Sequence, residues 1–126
     1  MKAYLAQKEF NPFLKHAWLL MGEAQFQKGE FLEAASTFSY ITRHYATQPT
    51  IANEARAYLI RCYTELEWYY DAEEVVSRMK RDTITPRVRK IANLSEANLL
   101  LRQERFDEAL PYLQKAVKDA EGNLQK

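Results

Sequence analysis

Glycine and proline are scarce in this chain: 126 residues hold 3 and 4 of them. An all-β domain of this length needs more turn punctuation, so the shortage favours helices. Cysteine occurs once, as Cys62, which excludes an internal disulfide framework and a site built from several thiolates. An excess of one charge is missing too. Against 18 Lys and Arg stand 17 Asp and Glu, a formal charge of +1, so no overall pull toward nucleic acid or a membrane surface follows. The apolar runs fall far short of a membrane span. Met1-Lys2-Ala3-Tyr4 has neither an apolar signal core nor a lipidation cysteine. The chain is therefore expected to be cytoplasmic, or a piece of a longer chain whose targeting signal lies upstream. What is present is 47% hydrophobic residues mixed with 28% charged ones, a globular composition in a chain long enough for one real core.

Six segments place their apolar residues at helical spacing. Asn11-Pro12 offers an N-cap and a proline suited to the first helical position, followed on one face by Leu14, Ala17, Trp18, Met21 and Ala24. Beyond the break at Gly29, a second stripe holds Phe31, Ala34, Ala35, Phe38, Ile41 and Tyr45. Gln48-Pro49-Thr50 punctuates the chain again, and a third stripe holds Ala55, Leu59, Cys62, Tyr63 and Leu66. A gap at Glu67-Trp68 leads to a fourth, with Ala72, Val75, Val76 and Met79. Thr85-Pro86 repeats the cap-and-proline device before Val88, Ile91, Ala92, Ser95, Leu99 and Leu100. The sixth, after Glu104-Arg105, carries Phe106, Ala109, Leu110, Leu113, Ala116 and Val117. No stretch sustains period-2 alternation, so no strand is expected. Short links between helices predict antiparallel neighbours.

The helix pairs repeat in phase. Phe31, Tyr69 and Phe106 each stand three residues before an alanine: Ala34, Ala72 and Ala109. Those alanines are 38 and then 37 residues apart. The aromatic residue is expected to start the second helix of a pair and to plug the gap between helices. The alanine, one turn on, lets the helices approach closely.

This pattern resembles the tetratricopeptide repeat. In the first copy Trp18, Met21-Gly22, Gly29, Phe31, Ala34 and Phe38 stand at the family's signature spacing, with Gln25 where an aromatic is usual. The second copy keeps Leu59, Tyr63, Tyr69 and Ala72 but has Ile60 at the small packing position. The third keeps Ala97, Leu100, Phe106, Ala109, Leu113 and Ala116. The likeness covers about residues 12–118. Its period exceeds the usual length of about 34 by a few residues, assigned here to longer loops between pairs. The resemblance implies an all-α, right-handed superhelix of three antiparallel pairs at about 12–46, 50–81 and 86–119. These form a repeat domain at 11–120, preceded by a short helix at 1–10 left from an earlier pair and followed by a tail at 121–126. Part of the stripe made by Leu110, Leu113, Ala116 and Val117 is expected to stay exposed and to offer a surface to a second copy of the chain.

A narrower likeness lies in Ala17-Trp18-Leu19-Leu20-Met21-Gly22-Glu23-Ala24, Phe38-Ser39-Tyr40-Ile41 and His44-Tyr45. These segments are similar to repeats in bacterial outer-membrane lipoproteins: the barrel-assembly lipoprotein group and the large repeat lipoproteins of the Bacteroidetes gliding and type IX secretion machinery. That likeness implies a periplasmic scaffold at the outer membrane, within a longer chain.

Catalysis needs convergent polar groups. His16 and His44 are far apart in sequence and neither belongs to a metal-binding pair. Cys62 lies on an apolar stripe and reads as a buried structural thiol rather than a nucleophile. No glycine-rich phosphate loop exists. An enzyme, a metal site and a cofactor are thus not expected. The resemblance instead implies a protein partner in the concave groove lined by the first helix of each pair. The candidate site is His16, Leu19, Glu23, Phe26 and Gln27, then Ala57, Arg61 and Glu65, then Leu94, Asn98, Leu101 and Arg102, with Glu54, Thr64 and Ile91 at neighbouring positions. Leu19 and Glu23 replace the Lys and Asn with which some relatives grip a terminal carboxylate, so that mode of recognition is not expected. A basic cluster, Arg78, Lys80, Arg81, Arg87, Arg89 and Lys90 interrupted by Asp82, lacks aromatic platforms for bases. It reads as a solvated face, and no nucleic-acid partner is expected. Trp68 and Tyr70 form either a contact patch or packing on a neighbouring loop. The expected function is a protein–protein interaction scaffold. The alternative is a structural spacer that positions other domains with no ligand of its own.

Overall fold

The computed structural model of the chain describes residues 12–79 and 84–125. The helix expected at 1–10, the cap Asn11, and Lys80, Arg81 and Asp82 of the basic cluster lie outside the described residues. Six helices follow in order: α1 Pro12–Gln27, α2 Phe31–His44, α3 Pro49–Glu65, α4 Tyr69–Arg78, α5 Pro86–Arg102 and α6 Phe106–Gln125. Among the described residues there is no strand. The tail expected at 121–126 is helical as far as Gln125; a single glycine weakens a helix by only about 1 kcal/mol, and Gly122 does not end this one.

Proline and threonine set two of the starts. Pro49 and Pro86 occupy the first turns of α3 and α5, where the missing N–H costs no helical bond. Thr85 adds a side-chain cap, its Oγ1 accepting from the Val88 N–H at 3.4 Å.

Three links are built alike. Between α1 and α2, α3 and α4, and α5 and α6 the middle residue has positive φ: Gly29 at 87°, Glu67 at 62° and Glu104 at 60°. In each, the next N–H donates back five residues: Glu30 to Gln25 at 2.9 Å, Trp68 to Tyr63 at 2.8 Å, Arg105 to Leu100 at 2.9 Å. The positive-φ residue itself donates back three, to Phe26, Thr64 and Leu101. This is the Schellman closure of a helix, and it turns the chain back in three residues, so the two helices run antiparallel. Left-handed backbone costs a non-glycine residue roughly 1–2 kcal/mol, while glycine's extra chain entropy costs about 0.5–1 kcal/mol. Glu67→Gly and Glu104→Gly are therefore each expected to raise stability by about 0.5–1 kcal/mol in urea unfolding. A loss would show that these glutamates contribute something beyond the turn.

Helices α1 and α2, α3 and α4, and α5 and α6 pack as pairs. The pairs join differently. The first joins the second mainly through α2 against α3, and the second joins the third through α3 against α5, with α4 touching α5 only lightly. Two clusters of buried side chains result. Leu19, Ala35, Phe38, Ile41, Ile51 and Leu59 centre the one between α1, α2 and α3. Ile60, Met79, Ile84, Val88 and Leu99 centre the one between α3, α4 and α5. Helix α3 feeds both, which is why it is buried almost all round.

The three phase-marking alanines, Ala34, Ala72 and Ala109, are each 0% exposed. Gly22 serves a similar close approach: a Cβ there would stand 2.6 Å from the Phe38 ring. Two expectations fail. On α1, Ala17, Met21 and Ala24 are exposed, and the buried side is Leu19 and Gly22 flanked by Trp18 and Phe26. Phe106 is mostly exposed, so the aromatic plug holds at Phe31 and Tyr69, which are half-buried, and is missing from the last pair.

Candidate protein-binding surface

The expected groove residues fall into three groups. Leu19 at 6% and Ala57 at 0% exposure are core; Leu19 packs with the α1–α2–α3 cluster and Ala57 with the α3–α4–α5 cluster. Neither can meet a ligand, because Leu19 is enclosed by α2 and α3 and Ala57 by the cluster between α3, α4 and α5. Thr64 is buried too, its hydroxyl donating to the Ile60 carbonyl at 2.7 Å.

A second group bridges helices. Phe26 is half-buried, its ring edge-on to Phe31 at 5.1 Å, with the Arg61 guanidinium 4.8 Å over its face. Glu23 holds the Tyr58 hydroxyl; burial first, then the Glu23 charge and hydrogen bond, push that phenol up to about 12. Glu65 accepts from Arg102 at 2.8 Å, and the buried Glu54 pairs with Arg87. These contacts lace α1 to α3 and α3 to α5 across one face. Half-exposed pairs of this kind contribute little net stability, but they fix the register between helices.

The third group is open. His16, Gln27 and Arg102 are exposed and Asn98 is half-buried. Leu94 at 52% and Leu101 at 38% exposure stand seven residues apart on α5, hence on one side of it. Three residues that the sequence pattern set on the inward stripe of α1, Ala17, Met21 and Ala24, belong instead to an exposed apolar row. Phe13, Leu20 and Met21 are exposed large side chains there, and with Ala17 and Ala24 they follow helical spacing. The available signal was that α1 is apolar on two faces. On α6, Phe106, Leu110 and Val117 are exposed, while Leu113 and Ala116 are half-buried. Trp68 leans on Tyr63 at 5.7 Å, and Tyr70 is exposed.

Polar chemistry on the remaining surface is dispersed. His44 stacks on Tyr40 at 5.1 Å, and His16 is exposed on α1. Among the described residues no group of three or more His, Cys, Asp or Glu is placed to hold a metal ion, and no helix is long and apolar enough to cross a membrane. Cys62 is buried, and burial pushes its thiol up to about 12, far from the thiolate a nucleophile needs. One cleft was not foreseen: about 450 Å³ between α2, α3 and α4, with Arg43, Arg56 and Arg78 among its walls. No family model matches the chain, and no curated protein or solved structure is significantly similar to it.

Proposed function

We propose that the chain is a tetratricopeptide-like repeat module that binds a protein segment along the open face of α1, α3 and α5. The observation that carries this reading is the exposed pair Leu94 and Leu101 on α5, apolar anchors flanking Asn98 on an otherwise polar face. Exposed apolar side chains rimmed by polar ones are the kind of surface that partner sites use. The three matched turns at Gly29, Glu67 and Glu104 support the repeat reading itself. Following the narrower resemblance, the module belongs to a larger cell-envelope lipoprotein, on the periplasmic side of the outer membrane.

A double variant, Leu94→Ser with Leu101→Ser, tests the reading, since both side chains are exposed and their loss should spare the fold. Immobilised parent chain is expected to retain specific proteins from native envelope extract, and the folded double variant to lose them. Identical profiles would sink the groove reading. The spacer alternative would then stand, and it has its own support in the contacts that already occupy much of the face: Glu23 with Tyr58, Arg61 on Phe26, Arg87 with Glu54, Arg102 with Glu65. In either reading the exposed Phe106, Leu110 and Val117 of α6 give a second copy of the chain an apolar row to cover.

A further inference from the structure

Most of the described arginines have partners. Arg78 reaches Glu74 at 3.0 Å, Arg102 reaches Glu65 at 2.8 Å, Arg105 lies between Glu73 and Glu108, and Arg87 meets Glu54. Arg61 covers Phe26 and Arg89 donates to the Ile84 carbonyl. Arg43 and Arg56 differ. Among the described residues no carboxylate lies within salt-bridge distance of either, and both line the cleft between α2, α3 and α4, with Arg78 beside them.

Arg56 is half-buried, and its Nη1 donates to Asn53 Oδ1 at 3.0 Å, one of five N–H donors on the group. Desolvation, then the charge of Arg78, lowers its hold on its proton. Like charges kept close in a half-buried site cost free energy that an anion would relieve. Asp71 and Glu74 also line the cleft. Glu74 is engaged by Arg78, and with Asp71 on the same wall the three arginines keep an excess of one positive charge over the two carboxylates. The remaining wall is mixed: Ser39 and Thr42 are polar, and Ala46, Leu59, Val75 and the Tyr63 ring are apolar. At about 450 Å³ the space exceeds what a bare ion needs and falls in the range of small-ligand sites.

We propose that this cleft is an anion site for a phosphate monoester carried on a short apolar stem, gripped by Arg43 and Arg56. A monoester carries about −1.5 to −2 charge at neutral pH, which suits two guanidiniums with a third nearby, and forked N–H donors match its oxygens. Val75 and the Tyr63 ring, both half-buried, would take the stem. The site shares no residue with the α1–α3–α5 face, so it stands or falls separately from the groove.

The test follows arginine Nε–H resonances of the whole chain while phenyl phosphate, inorganic phosphate or a short phosphotyrosine peptide is added at matched ionic strength. Phenyl phosphate is expected to shift Arg43 and Arg56 saturably and to bind at least about fivefold tighter than inorganic phosphate, because of its apolar contact. Arg43→Gln, an exposed position, should weaken binding about tenfold, the effect of removing one charge-assisted interaction; Arg56→Gln should do the same if it remains folded. A phosphopeptide that binds tighter than phenyl phosphate assigns the monoester to a partner protein. One that binds no tighter assigns it to a free small molecule. No saturable shift, equal shifts at all exposed arginines, or unchanged affinity in Arg43→Gln would overturn the proposal.

Discussion

Leucine in place of Ala72 is expected to lower the stability of the fold by about 1–3 kcal/mol, and Ala34→Leu and Ala109→Leu to do likewise. All three alanines lie in the first turn of the second helix of a pair, wholly buried, where that helix crosses its partner. Their backbone N–H groups close the first helical bonds, Ala34 to Glu30, Ala72 to Trp68 and Ala109 to Arg105, so the backbone there cannot retreat without breaking the turn before it. Three added carbons would push the pair apart. Gly22 and Phe38 show how little room such crossings leave. Urea midpoints at constant slope read the effect directly. Parent-like midpoints for all three variants would mean that the alanines mark phase without governing packing.

Stability should also fall as the pH climbs from about 9 to 12. Helix α3 carries three acids whose protons the fold retains: Cys62, raised to about 12; Tyr58, raised to about 12; and Tyr63, raised as well, each first by burial. The unfolded chain gives up the same protons near the ordinary thiol and phenol values of about 8.5 and 10. The stabilising effect is thus complete below about pH 8.5 and is lost progressively as the pH approaches the folded values. For a thiol as enclosed as Cys62 the loss is on the order of a few kcal/mol; for the half-exposed tyrosines it is smaller, because water screens them. Cys62→Ala should flatten the lower part of the curve and Tyr58→Phe the upper part. Stability that stays level to about pH 11, or a decline from pH 9 that survives in Cys62→Ala, would refute this account.

How much of this was legible in the sequence depends on which force shaped each element. The alanines at 34, 72 and 109 were readable because close helix crossings demand a small residue at a fixed offset from the turn. Helix α2 was readable because it has one apolar side: Ala34, Ala35, Phe38 and Ile41, with Tyr45 just past its end, are all buried. Helix α1 was misread because it is apolar nearly all round. Periodicity alone could not say that Leu19 faces inward and Met21 outward, since neighbours decide that. Glu54 shows a different gap. Its burial depends on Arg87, 33 residues away, and a local pattern carries no record of such a partner. The arginine cleft was invisible for the same reason: Arg43, Arg56 and Arg78 sit on three helices and meet only through packing.

The sharing of α3 between two cores has a mechanical meaning. Its Leu59 belongs to one cluster and its neighbour Ile60 to the other, so the two halves of the molecule are bolted to opposite sides of a single rod. Among the described residues the outer helices α1 and α6 have no comparable cross-connection. Tension applied between the two ends must pass through that rod, and its bending stiffness sets how far one end can lean relative to the other.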